Sequence, residues 1–125
     1  MNNIENIHEI QAESVVLTLK QTKHFLKDRY DRYTKIRNQV GIGNVVKGFR
    51  WDRGHRNGAE KHFITNTGII LVINERTKKL VTMLVARPQQ IRRYWELQGK
   101  QTPKDVQPII EKAIEHQRKG YNETF

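Results

Sequence analysis

The sequence of 125 residues contains no cysteine. This excludes a disulfide framework, a metal site built on thiolates and a cysteine nucleophile. Long apolar runs are also missing. Runs such as Ile69–Ile73 and Met83–Ala86 fall far short of the ~20 apolar residues that cross a bilayer, so we expect no membrane partner.

Several fingerprints of cofactor and metal sites are absent as well. The sequence has no P-loop, no GxGxxG and no GxSxG. Its five histidines form no HxxxH or HxH pair, so we expect neither a metal nor a cofactor. Residues 1–13 carry three glutamates and no lysine or arginine, the reverse of a signal peptide. We therefore expect a cytoplasmic protein of bacterial or phage origin.

What the chain does have is positive charge. It holds 23 lysines and arginines against 13 acidic residues, a net charge of +10. Residues 23–62 contain eleven basic and four acidic residues, whereas residues 1–22 contain one and three. A basic middle of this density attracts polyanions and makes association sensitive to salt. RNA is therefore the expected partner, and a merely solubilising surface is the plainer alternative.

The spacing of apolar residues predicts one α+β domain over residues 1–125, with helices packed against an antiparallel meander of about four strands. Residues 1–13 are expected to be a frayed segment or a short helix. The predicted strands are Ser14–Leu19, Val45–Trp51, Lys61–Asn66, Ile69–Asn74 and Lys79–Ala86. The predicted helices are Lys23–Arg37, Pro88–Gln98 and Thr102–Lys119.

Three histidines lie in the basic middle. His24 opens the first helix one turn before Asp28, and His62 begins a strand beside Lys61. Histidine is the usual general acid or base near neutral pH. Each also has a plain interpretation, as a helix-surface residue paired with Asp28 or as a residue at an exposed strand edge.

The third histidine, His55, lies in the sequence RGHRNG between Arg53 and Arg56. A glycine-flanked loop with two arginines can approach phosphates closely, although a surface turn would have the same composition. The other two histidines, His8 and His116, are expected at the surface because their surroundings are charged.

The order of elements carries a resemblance. KHFLKDRYDRY places His24, Arg29 and Arg32 in the pattern H-x(4)-R-x(2)-R, and Leu80–Leu84 reads LVTML in the last strand. Over residues 22–95 this layout resembles the barnase, EndoU, colicin D and RelE-like group of small ribonucleases, whose toxin and phage members often combine such a helix with such a strand.

The resemblance implies RNA cleavage without a metal, by attack of the 2′-hydroxyl on the adjacent phosphorus. It implies His24 and His62 as the acid and base, with neither role assigned to either. A glutamate base, which some members use, has no clear position in this sequence. The remaining candidates would bind the phosphate or the substrate: Arg29, Arg32, Arg53, His55, Arg56, Lys61, Thr65 and Thr82.

Two other hypotheses stay open. The protein could be a nucleic-acid-binding module without catalysis, whose basic face lies on phosphates. It could also be an interaction protein that inhibits a nucleic-acid enzyme, with a neutralising or target protein as its partner.

Overall fold

A computed structural model describes residues 6–13 and 23–124, and side chains within residues 23–30 and 123–124 lie outside the description. The strands in these ranges are β1 (Asn6–Ile10), β2 (Val45–Asp52), β3 (Glu60–Thr65), β4 (Ile69–Asn74) and β5 (Leu80–Val85). The helices are α1 (Lys23–Gln39), α2 (Pro88–Glu96), α3 (Gln107–Arg118) and the single turn α4 (Tyr121–Thr124), and a 3₁₀ turn at Lys104–Val106 precedes α3.

The five strands form one sheet in chain order, β1-β2-β3-β4-β5, and every neighbouring pair is antiparallel. The predicted α+β meander is therefore confirmed. Short connections enforce it: the Gly68 N–H donates to the Thr65 carbonyl between β3 and β4, and the Asn74 side chain accepts from the Arg76 and Thr77 amides between β4 and β5.

The first strand, β1, corrects the expectation of a frayed or helical N-terminus. Ile7 pairs with Trp51 of β2, and Ile10 pairs with Gly48. Because the two isoleucines are three positions apart, an odd number, they lie on opposite faces of the sheet, each against a different core cluster. The segment therefore lacks the alternation that marks a strand with one apolar face. The strand predicted at Ser14–Leu19 lies outside the described residues.

Both faces of the sheet are covered, which explains why β4 is apolar along almost its whole length. One face, here called the α2/α3 face, carries Phe49, Ile64 and Ile70 and packs against both of those helices through residues such as Trp95 and Ile110. The opposite face, here called the α1 face, carries residues that pack with Ile36 of α1: Phe63, Leu71 and Met83.

Helix α1 runs two residues beyond its predicted end. The amides of Val40 and Gly41 both donate to the Ile36 carbonyl, and Gly41 has a φ of +84°. A glycine in this left-handed conformation is a common helix terminator. None of the helices in the described ranges is long and apolar enough to span a bilayer.

One surface expectation was wrong. His8 is exposed as predicted, but His116 of α3 is buried against the turn at Gly68 and the ring of Tyr121, 5.8 Å between centroids. Its position on the inner side of α3, one turn after Ala113, places it among buried residues despite its charged sequence neighbours. Burial lowers the pKa of the His116 imidazole, and its Nδ1 has no hydrogen-bond partner among the described residues.

We predict that His116 makes the fold less stable in mild acid. The folded pKa lies below the ordinary 6.5, so the unfolded chain takes up the proton first and the free energy of unfolding falls as pH drops below that value. In the variant His116→Leu this part of the pH dependence should disappear. Chemical denaturation at pH 8 and pH 5 measures it, with His8→Leu as the exposed control. Equal pH dependence in both variants would contradict the prediction.

Candidate functional site

Two cavities lie on the α2/α3 face of the sheet, and a third lies at the edge formed by β5, where Arg32 of α1 and Gln90 of α2 both line it. The central cavity, of about 170 Å³, lies over His62, Val72 and Leu84. A second, of about 360 Å³, lies beyond Glu60 and Asn74 towards the loops. A third, of about 130 Å³, shares Leu84 and Gln90 with the central cavity and extends to Arg32, Arg87 and Asn122. We call the three together the groove.

The strand register explains which side chains reach the groove. Trp51, Glu60 and Asn74 are cross-strand neighbours in one row, and Phe49, His62, Val72 and Thr82 form the next. Directly paired residues in an antiparallel sheet share a face. The pairing of the strands thus presents an aromatic ring, a carboxylate and an imidazole to the same side.

The centre of the groove holds a hydrogen-bonded chain of three side chains. The His62 Nε2 lies 3.1 Å from the Glu60 Oε1, and its Nδ1 lies 2.8 Å from the Tyr94 phenol oxygen. Burial raises the pKa of the Tyr94 phenol, so the phenol keeps its proton and hydrogen-bonds to Nδ1. The Nε2–H then donates to the Glu60 carboxylate.

Glu60 is the ionised end of this chain. The hydrogen bond from His62 is the largest influence that lowers the pKa of the Glu60 carboxyl, and the nearby charges of His62, Arg53 and His55 lower it further against the opposing effect of burial. Its side chain is 26% exposed, whereas that of His62 is 6% exposed. The carboxylate is therefore the more accessible of the two groups; it lines the second cavity, whereas His62 lines the central one.

An aromatic and cationic wall closes the central cavity. The guanidinium of Arg53 lies over the Trp51 ring, 3.8 Å from its centroid, and Arg93 of α2 approaches the same ring at 5.8 Å. The Trp51 ring also lies 5.1 Å from that of His62. Aromatic rings interleaved with arginines are typical of surfaces that bind exposed nucleobases.

The cations of the groove differ from those of the α1 face in their partners. On the α1 face, Arg50 forms a bidentate ion pair with Glu75, and Lys61 lies 3.6 Å from Glu13. In the groove, by contrast, several arginines form no ion pair with any carboxylate of the described residues: Arg53, Arg76, Arg87 and Arg93. These four arginines can therefore meet an anion without first breaking an ion pair within the described residues.

The groove contains four of the ten predicted site residues: His62, Arg53, His55 and Arg32. His62 and Arg53 line the central cavity, and His55 lines the second. Arg32 lines the third, while Thr82 is placed beside the central cavity by its pairing with Val72. Arg56 belongs to the same loop as His55 and is exposed.

Lys61 and Thr65 do not join the groove. Alternation along β3 turns both towards the α1 face, the side opposite His62. Lys61 pairs there with Glu13, and the buried Thr65 hydroxyl accepts from the Ile69 amide within the β3–β4 turn.

The side chains of His24 and Arg29 lie outside the description, although both residues belong to α1. This helix packs through Ile36 on the α1 face, with the sheet between that contact and His62. We therefore build no site on a pairing of His24 with His62.

Several residues of the groove were missed from the sequence. Glu60 could have been found, because a spacing of two on a strand puts it on the same face as His62. Tyr94 and Arg93 come from α2, and no local pattern predicts which strand a helix will cover.

Among the described residues, histidines and carboxylates form no group of three or more that could hold a metal ion. Comparisons of the chain with protein-family models, curated proteins and solved structures give no match. The argument for function therefore depends on the groove itself.

We predict that His62 controls the pKa of Glu60. In His62→Leu the carboxyl pKa should rise towards its ordinary 4.5, because the hydrogen bond that most lowers it is lost. Carboxyl carbon NMR during a pH titration measures this. In Tyr94→Phe, which keeps the imidazole beside Glu60, the pKa should stay low. An unchanged Glu60 pKa in a folded His62→Leu protein would contradict the assignment.

Proposed function

We propose that the protein binds RNA in the groove and cleaves it there without a metal. One observation carries the proposal: an ionised Glu60, positioned by His62 and Tyr94, lies between cavities whose arginines have no carboxylate partner among the described residues. The resemblance to small ribonucleases supports the same reaction.

The proposed reaction is an internal transfer. The 2′-oxygen forms a bond to the adjacent phosphorus while the bond from phosphorus to the 5′-oxygen breaks. The base removes the 2′-hydroxyl proton, and the acid protonates the departing 5′-oxygen, which leaves a 2′,3′-cyclic phosphate and a 5′-hydroxyl. Two proton-transfer groups are needed, together with cations for the charge on the phosphate oxygens.

The residues of the groove suit these roles. Glu60 is the proposed base, since its carboxylate is ionised and reaches the groove. His62 acts as a positioning residue, because Tyr94 and Glu60 engage both of its ring nitrogens. His55, which lines the cavity next to Glu60, is the proposed acid. His55 thus has the acid role for which the sequence led us to expect either His24 or His62.

The arginines supply the binding energy for the phosphates. Arg53 and Arg93 lie at the central cavity, Arg76 at the second, and Arg87 at the third. An arginine without an intramolecular carboxylate binds a phosphate without first breaking an ion pair. The chain of cavities therefore fits a strand with several phosphates better than a single small anion.

A second candidate function is RNA binding without cleavage. The burial of His62 favours it, because an imidazole whose two nitrogens are both engaged within the protein also serves as a structural link between β3 and α2. In that case Glu60 would complete the link, and only the cations and aromatic rings would contact RNA.

We predict that Glu60→Gln lowers the rate of RNA cleavage by roughly 10²- to 10⁴-fold, the usual contribution of a general base, while RNA affinity is retained. Glu111→Gln, an exposed change on α3, should leave the rate unaltered. Cleavage by the parent protein should persist in EDTA, should yield a 2′,3′-cyclic phosphate by mass spectrometry, and should stop when the 2′-hydroxyl at the cleaved position is replaced by hydrogen.

These measurements separate the two candidate functions. RNA binding by the parent protein without cleavage between pH 5 and pH 8 would support the non-catalytic module. Cleavage that Glu60→Gln does not slow would remove Glu60 from the reaction. Absence of any RNA binding would overturn both.

We also predict that Arg93→Gln weakens binding of single-stranded RNA and reduces the slope of log affinity against log salt concentration by about 0.7, the value for one lost phosphate contact. Anisotropy of a labelled oligonucleotide at several salt concentrations measures the slope. The matched control is Arg118→Gln, an exposed arginine on α3 away from the groove. Equal slopes for both variants would contradict a phosphate contact at Arg93.

A further inference from the structure

We propose that Arg53 covers the Trp51 ring in the free protein and that an unpaired base of RNA displaces it and stacks on the indole. This inference rests on the proposed RNA binding, and it names the substrate class as single-stranded or looped RNA. A base held within a duplex is already stacked and paired, and therefore unavailable to an aromatic side chain.

The geometry of the pair supports a covered stacking surface. The Arg53 guanidinium lies 3.8 Å from the centroid of the Trp51 ring, and Trp51 is only 4% exposed although it lines the central cavity. A planar guanidinium at this distance occupies the position that a planar base would take.

The covering contact leaves two donors without acceptors. The indole Nε1 of Trp51 and the Nε of Arg53 are both buried, and neither has a hydrogen-bond partner among the described residues. Buried polar groups are satisfied in most proteins, and exceptions tend to mark functional sites. Because the free protein leaves these two donors unsatisfied, less free energy is lost when the contact opens and a ligand supplies acceptors for them.

Arg53 is also held weakly. Within the described part of the chain its close contact is the stacking on Trp51, and it forms no hydrogen bond or ion pair through its guanidinium. It is the first residue after β2, beyond the Asn6–Asp52 pair that ends the β1–β2 ladder, so its side chain can turn away without breaking strand pairing.

The displaced arginine would keep a role in binding. Its neighbour Arg93 already approaches the same ring at 5.8 Å, so a nucleotide stacked on Trp51 brings its phosphate close to two cations. In the free protein the Arg53 guanidinium stacks on Trp51. In the complex the base stacks there instead, and the guanidinium forms a charge-assisted hydrogen bond with the phosphate. The complex therefore has one stacking contact, as before, and one additional hydrogen bond.

Tryptophan fluorescence tests the proposal. The chain has two tryptophans, and Trp95 is buried, so the difference between each protein and its Trp51→Phe counterpart reports Trp51 alone. In Arg53→Ala the acrylamide quenching constant of Trp51 should rise several-fold. Arg56→Ala removes an exposed arginine of the same loop and should leave it unchanged.

Three RNA probes complete the experiment with the parent protein. A single-stranded hexanucleotide should alter the Trp51 emission, whereas an abasic oligomer of equal charge and a short RNA duplex should not. Affinity is measured separately by anisotropy of the labelled probes.

Binding of the hexanucleotide without a Trp51 response, or the same response to the abasic oligomer, would overturn the stacking inference and leave the proposed RNA binding intact. No binding of any probe would overturn both. If Arg53→Ala fails to fold by circular dichroism, the three probes with the parent protein still decide between these outcomes.

Discussion

The contact between the His62 imidazole and the Tyr94 phenol is the interaction on which the groove depends. It joins β3 to α2, and it fixes how far along the sheet the helix covers the α2/α3 face. Beyond that contact α2 does not cover the face, and the Glu60 carboxylate is accessible in the groove. The other ring nitrogen of the same imidazole bonds to the Glu60 carboxylate, and that hydrogen bond is the largest influence that lowers the Glu60 pKa.

The two faces of the sheet differ in whether their cations form ion pairs, rather than in how many cations they carry. The α1 face carries Arg50 and Lys61, but glutamates engage both. The groove carries a single carboxylate, Glu60, which a histidine engages, and four of its arginines, Arg53, Arg76, Arg87 and Arg93, have no ion pair with a carboxylate of the described ranges. A net charge of +10 alone would fit a solubilising surface equally well. The arrangement of partners argues for an anion in the groove.

Sequence patterns predicted most of the fold, because β4 and β5 are short β-branched runs between turn residues, and α2 begins at a proline. They failed at β1, whose two isoleucines lie on opposite faces, and at His116, whose side chain packs inward against Gly68 and Tyr121 although its neighbours along the chain are charged. The groove was only partly predictable. His62 and Arg53 were identified from residue type. The hydrogen-bonded chain that links Glu60 to Tyr94 through His62 depends on how α2 crosses the sheet, which the sequence does not show.

The register of the sheet links stacking to chemistry. Trp51 and Glu60 are directly paired across β2 and β3, and paired residues have Cβ atoms about 5 Å apart. A base on the Trp51 ring would therefore bring its own ribose towards the Glu60 carboxylate without any further positioning group. A shift of one residue in this pairing would turn one of the two side chains to the α1 face. On the proposed function, the hydrogen bonds that build the sheet would thus also place a stacked nucleotide next to its proton acceptor.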